Sequence, residues 1–327
     1  MIRLAPTALL ALLLGPASAA AAPIQLRMAA IAPDGTEWAR ELKAFSAAVQ
    51  AATTDRVRIK WYLGGIAGDE NGSIDRIRRG QLDGAAGAMF CDRLAPSLQV
   101  TRVAGLLQSR EEASRAINGL HEIITSEFAK NGFVYLGSAG FGLDVVFTRE
   151  PVRSLAALRK GVYWIRPYDD VLRTELATVG VRTVVLPHAD AERAFDDGRI
   201  DGFIAPPASV LAFQWFSHAR AFVDAKLAYL DGCIALHQSA FDRLSAEDQR
   251  TVREQAAALA VRFELTGRDI DDKLLHGLFE KLGLKPVIPD ANFRSELNAA
   301  QRAARSAIPE RMVPRALLER VSALLGR

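Results

Sequence analysis

Residues Ile24-Gln25-Leu26-Arg27-Met28-Ala29 alternate apolar and polar, the period of a half-buried strand. The turn signal Ala32-Pro33-Asp34-Gly35 follows, and Trp38, Leu42, Phe45 and Val49 then recur at helical spacing. Val57 to Tyr62 alternates again, and a glycine-rich turn, Gly64-Gly65-Ile66-Ala67-Gly68, leads into a helix that Gly80 ends. Strand and helix keep alternating, which predicts an α/β protein with mostly parallel sheets. Gly132 to Thr148 and Ala221 to His237 are β-rich, and each is read as crossing between lobes. Ser245-Ala246-Glu247-Asp248 then has the form of a capping box, with a hydroxyl for an orphan N–H and an acid three residues on. Beyond it Val252, Ala256, Leu259, Phe263, Ile270, Leu274 and Leu278 hold one helical face as far as Gly283. A helix over about 245–282 would run roughly 55 Å, longer than one lobe, so it is predicted to brace two, with a kink near Gly267. Leu284 to Val287 reads as a short strand and the rest as C-terminal helices.

An internal echo supports two lobes. Gly80-Gln81-Leu82-Asp83-Gly84 and Gly198-Arg199-Ile200-Asp201-Gly202 each end a helix at glycine and open an apolar run after Asp-Gly. The 327 residues also favour more than one core. The expected division gives 23–143 and 223–250 to the N-terminal α/β lobe. It gives 144–222 and 251–327 to the second lobe, together with the bracing helix and the C-terminal helices. Hinges are expected at Gly140 to Asp144 and at Ala221 to Asp224.

The N-terminus changes where the protein is expected to act. Arg3, the apolar run Ala8 to Leu14, the Gly15-Pro16 break and Ala17-Ser18-Ala19 have the layout of a secretory signal peptide over 1–22, cleaved about Ala19 to Ala22. The run is too short to span a bilayer, so a soluble, exported, periplasmic protein is expected. Lys and Arg number 41 against 38 Asp and Glu, a net charge of +3, which offers no basic field for nucleic acid. Cys91 and Cys233 are read as two buried free thiols rather than a disulfide, although an exported protein permits the bond.

Catalytic and cofactor signatures are missing. The chain lacks G-x-S-x-G, H-E-x-x-H, G-x-x-x-x-G-K-[ST] and G-x-G-x-x-G, and its 5 His never pair at ligand spacing, so no cofactor and no metal are expected. Gly137-Ser138-Ala139-Gly140-Phe141-Gly142 lies in β-like sequence with no helix after it, which argues against a phosphate loop. The doublets Asp169-Asp170, Asp196-Asp197 and Asp271-Asp272 are read as helix-end or solvated acids.

Three runs carry a resemblance: Met28 to Trp38, Gly64-Gly65 with Gly68-Asp69-Glu70, and Arg79-Gly80-Gln81-Leu82-Asp83-Gly84. With Pro151-Val152, Trp164-Ile165-Arg166, Leu186-Pro187, Gly198 to Gly202 and Leu244 to Gln249, they fall in the order found in one family. The chain resembles the substrate-binding subunit of tripartite ATP-independent periplasmic (TRAP) transporters. The resemblance implies a bilobed periplasmic binding protein fold, α/β in both lobes, joined by crossing strands and closing by hinge motion on a small-molecule ligand. It also implies delivery to membrane permease subunits, with the receptor a monomer or weak homodimer and not an enzyme. A free-standing carrier of hydrophobic ligands and a secreted hydrolase remain as alternatives at this point.

Departures from the family pattern shape the expected ligand. Arg166 matches the arginine of the family's Ile-Arg pair, but Leu143 to Phe147 carries Asp144 and no second arginine. Ala205 stands where a polar asparagine is common, and Phe213 to Phe216 resembles a subgroup with less polar pockets. The expected ligand-binding residues are Arg166, Trp164, Phe203, Ala205, Phe90, Phe141, Trp215, Glu70, Asn71 and Trp38. The expected ligand is an organic acid with one carboxylate and an apolar body.

Overall fold

The Asp-Gly echo marks the same structural position twice. The computed structural model describes residues 22–327, so the expected leader falls almost entirely outside them. The first sheet contains β1 (Ile24–Ala30), β2 (Val57–Tyr62), β3 (Gly84–Gly87) and β4 (Phe133–Leu143). The second contains β5 (Val145–Thr148), β6 (Val162–Ile165), β7 (Arg182–Val185), β8 (Gly202–Ala205) and β9 (Ala221–Val223). β10 (Tyr229–His237) returns to the first sheet and β11 (Lys285–Val287) to the second. The orders are β2-β1-β3-β10-β4 and β11-β9-β5-β8-β6-β7. In each, two parallel pairings precede an antiparallel one: β2, β1 and β3 against β10, and β7, β6 and β8 against β5. Gly84 opens β3 and Gly202 opens β8, and in both a Cβ would run into a carbonyl of the antiparallel neighbour, Ala235 or Phe147. Glycine there is a packing requirement, which is why the pentapeptide recurs.

The chain passes from the first sheet to the second at Asp144, the one residue between β4 and β5, and returns through 224–228. Each sheet is covered on both faces by helices, with a large buried cluster on either face. Trp38, Leu42, Phe45 and Val49 form the buried face of the helix Glu37–Ala52, and Thr36 caps it by accepting from Ala39 N.

The bracing helix runs from Ala246 to Lys273, about 42 Å, with Ser245 Oγ accepting from Asp248 N at its start. Its Val252, Ala256 and Leu259 pack in the first lobe, whereas Leu274 and Phe279 beyond it pack in the second. The expected kink at Gly267 is not there. The helix continues through Gly267, whose missing side chain admits the Arg110 guanidinium, and it breaks instead at His276 and Gly277 (φ 125°). The expected allocation of 251–327 to the second lobe also needs correction. Phe293 and Leu297 of the helix Ala291–Ala307 lie in the second lobe, but Leu317 and Val321 of Arg315–Leu324 return to the first. Amphipathic spacing shows that such a helix is buried on one side without showing against which lobe.

Cys91 and Cys233 are joined, with sulfurs 2.03 Å apart, which corrects the free-thiol reading. Cys233 lies opposite Gly87 in the β3–β10 ladder, and Cys91 lies four residues after Gly87 in the helix Met89–Leu94. The ladder register brings them together across 142 residues of sequence.

Candidate functional site

The carboxyl ends of β1, β3, β6 and β8 converge on the space between the lobes, the usual place for a ligand in open α/β sheets. A cavity lies there, with an envelope of ≈ 930 Å³ that includes space open to solvent, roofed by Ala256, Leu259, Ala260 and Phe263 of the bracing helix. The first lobe contributes Trp38 and Phe141, edge to face at 4.9 Å. The second contributes Trp164 and Trp215, edge to face at 4.6 Å, with His188 stacked on Trp215 at 5.6 Å. Trp164 Nε1 donates to Leu186 O at 2.8 Å, so its polar end is satisfied and its ring remains an apolar wall.

Among the described residues lining the cavity, the charged side chains are Arg166 and Glu70. Arg166, 4% exposed, donates from Nη1 to Asp169 at 2.9 Å and from Nη2 to Asp144 at 3.4 Å. Arg102 binds the same two carboxylates, at 2.7 and 2.6 Å. Burial works against ionised Asp169, but Arg102 and Arg166 hold its carboxyl below the ordinary range. Glu70 is the first residue of the helix Glu70–Arg78, which Asp69 caps by accepting from Gly72 N at 2.6 Å. Burial pushes the Glu70 carboxyl up to about 7, opposed in part by the backbone N–H groups of Phe90, Ala88 and Met89 and by the charge of Arg166. Burial, with the Arg166 charge, depresses His188 to about 3, so its imidazole is neutral at physiological pH.

Arg166, Trp164, Ala205, Phe141, Trp215, Glu70 and Trp38 line this one cavity. Three other expected residues do not. Phe90 is fully buried behind the site, edge to face with Phe133. Phe203 shares a strand face with Ala205 but sits two residues deeper, stacked on Phe147 at 5.2 Å and covered by Trp215. Asn71 accepts from Arg93 at 2.6 Å in the adjoining cleft mouth. Sequence reasoning missed His188, Phe213, Ser138, Ser209 and the helix residues of the roof. His188 follows Leu186-Pro187 and Phe213 begins the aromatic run, so both stood beside residues already singled out. Arg102 had no local signal, because its role depends on a fold that brings it to Asp144 and Asp169.

Among the described residues no cluster of three or more His, Cys, Asp or Glu is arranged to hold a metal ion, and no helix is long and apolar enough to cross a membrane. The sequence matches a family model, bacterial extracellular solute-binding protein family 7, over residues 28–285. The chain belongs to that family. Family 7 members are binding proteins, not enzymes, so the hydrolase alternative falls. No curated protein matches the chain at a significant level.

Solved TRAP solute-binding proteins share the family 7 fold. One from Haemophilus influenzae with bound L-gulonate is 12% identical, with TM-score 0.85 over 92% of this chain and 99% of that one. An extracytoplasmic solute receptor from Bordetella pertussis binding pyroglutamic acid is 19% identical, with TM-score 0.80 over 91% and 99%. A third, from Ralstonia eutropha with bound (S)-2-acetolactate, is 16% identical, with TM-score 0.84 over 93% and 99%. At these identities the likeness shows the bilobed fold, not the ligand.

Proposed function

We propose that this family 7 protein is the periplasmic receptor of a TRAP-type transporter, taking a small organic acid with one carboxylate and an apolar body. The solved proteins bind L-gulonate, pyroglutamic acid and acetolactate, all carboxylic acids, which supports the acid. The observation that carries the apolar body is the cavity wall. Trp38, Phe141, Trp164, Phe213, Trp215 and Phe263 surround it, whereas Glu70 and His188 gather within electrostatic reach of Arg166. A dicarboxylate needs a second set of donors, because a buried unpaired carboxylate is unfavourable. Each methylene buried against these rings adds about 0.8 kcal/mol. The single-residue crossing at Asp144 and the return through 224–228 are the proposed hinges for closure, and the permease subunits are the proposed partners.

Calorimetric titration of linear monocarboxylates against succinate and malate tests this reading. Affinity should rise about fourfold per methylene until the cavity is filled. Arg166→Ala should weaken every acid about 10- to 150-fold. Tight succinate binding with no gain from added methylenes would refute the apolar body. Unchanged binding in Arg166→Ala would remove Arg166 from the site.

A further inference from the structure

We propose that a carboxylate ligand enters this cavity together with one proton, which resides on Glu70 and is donated in a hydrogen bond to the ligand. The inference rests on the carboxylate-receptor reading above and adds to it how the anion's charge is met. Arg166 is the one cationic side chain lining the cavity among the described residues, and it is already engaged. Its Nη1 donates to Asp169 at 2.9 Å and its Nη2 lies 3.4 Å from Asp144, while Arg102 holds the same two carboxylates. Two guanidinium groups and two carboxylates make the cluster neutral. Arg166 therefore offers an incoming anion donors but no uncompensated positive charge.

The other ionisable groups around Glu70 place no further cation in the cavity: Arg93, the nearby cation at the cleft mouth, donates to Asn71 at 2.6 Å, lies over the Tyr168 ring and does not line the cavity. Asp92 and Asp231 lie behind it in the first lobe, both pushed up by burial. Glu175 lies beyond Asp169, also held up by burial, and His188 is neutral. An ionised Glu70 beside an anionic ligand would place two carboxylates in one enclosed space, where one of them takes up a proton.

Geometry places that proton on Glu70. The residue is 9% exposed and lines the cavity; the backbone N–H groups of Ala88, Met89 and Phe90 approach its carboxyl and partly favour the anion, but burial outweighs them, and Oε1 is left with no hydrogen-bond partner among the described residues. Oε1 occupies the space that the missing side chain of Gly87 in β3 leaves. A carboxylate only accepts, whereas a protonated carboxyl has one O–H to donate. The raised Glu70 value, about 7, keeps that proton available at neutral pH.

Calorimetry of hexanoate from about pH 6 to about pH 9, where the ligand stays ionised, tests the proposal. Affinity should be nearly flat below pH 7 and then weaken, by about 50-fold between pH 7 and pH 9, the linkage expected for one proton with that pKa. At about pH 8 the binding heat should vary with the buffer's ionisation enthalpy, reporting uptake of nearly one proton. Glu70→Gln keeps a donor at the same place, so it should bind hexanoate with no pH dependence, while Asp92→Asn should retain the dependence. Hexanoate binding that is independent of pH and buffer in the wild type would overturn the proton coupling and leave the receptor reading standing. An undiminished pH dependence in Glu70→Gln would also overturn it. The absence of binding by any carboxylate at any pH would remove both. The buffer experiment uses the wild-type protein, so the test survives a variant that fails to fold.

Discussion

Replacing Asp169 by Asn removes one negative charge from the cluster behind the cavity while changing little else. Asp169 Oδ1 caps the helix Asp170–Thr178 by accepting from Leu172 N at 3.3 Å, and asparagine caps about as well. The loss therefore falls on the bonds from Arg102 Nη2 at 2.7 Å and Arg166 Nη1 at 2.9 Å. All three side chains are at least 95% buried, so the variant carries an uncompensated interior positive charge. Breaking a buried pair in this way costs about 3–5 kcal/mol of stability. Part of that loss is recoverable by ligand, because a carboxylate at Arg166 supplies the missing charge. A newly charge-compensating hydrogen bond contributes about 1.5–3 kcal/mol, so Asp169→Asn should bind hexanoate about 10- to 150-fold more tightly than wild type at about pH 8. Hexanamide should gain nothing. Ligand should accordingly raise the melting temperature more in the variant than in wild type at equal concentration. The steep loss of affinity above pH 7 should shrink too, since the anion no longer has to bring a proton. A variant that melts cooperatively yet binds hexanoate no better than wild type would show that Arg166 does not face the ligand carboxylate, and the charge argument would fail.

Two further outcomes concern stability. Cys91–Cys233 closes a long loop, so reducing it, or changing both residues to alanine, should lower stability by about 2–5 kcal/mol in urea titration; an unmoved midpoint once free thiols are detected would contradict this. Glu70, Asp92 and Glu175 are held up at about 7, 8 and 8, above their unfolded values near 4, so the native state binds more protons over that window. Their contribution is complete below the unfolded values and is lost as pH rises through the folded ones, with a limiting slope of about 1.4 kcal/mol per pH unit for each group. Asp169, held low, has the opposite sign, and its contribution is lost only in strong acid. The urea midpoint should therefore fall from about pH 5.5 to about pH 8.5, and a rise over that range would count against these buried acids being protonated.

Local periodicity was enough for β1, β2, the first helix, β11 and the start of the bracing helix, because each buries one face and its spacing records that burial. The echoed pentapeptides were legible as a repeat for a stricter reason: both glycines sit under a carbonyl of a neighbouring strand. What could not be read was anything requiring two distant segments at once. The helix Arg315–Leu324 has an ordinary apolar face and gives no sign that it returns to the first lobe. The Cys91–Cys233 bond depends on the β3–β10 register, and that register is set by strands separated by more than a hundred residues. Gly267 looked like a kink because glycine weakens helices, but here the space it leaves is filled by Arg110.

The site divides along the same line. Trp38, Phe141, Trp164 and Ala205 stand near strand ends or in the first helical turn after them, positions that an α/β reading sends toward the cleft, whereas Trp215 follows the helix Pro207–Ala212. Phe90 and Phe203 stand near the same ends but lie in the cores: Phe90 packs edge to face with Phe133 behind the site, and Phe203, on the strand face of Ala205, sits two residues deeper beneath Trp215. Electrostatics was the least legible part. From sequence, Arg166 was a cation awaiting an anion, and Asp144 was only the absence of a second arginine. In the fold the two are partners, and Arg102 and Asp169 complete a neutral set. Selectivity therefore follows from the charge left over after internal pairing. Among the described residues lining the cavity, that remainder is a single carboxyl, Glu70, whose protonation decides whether an anion is welcome.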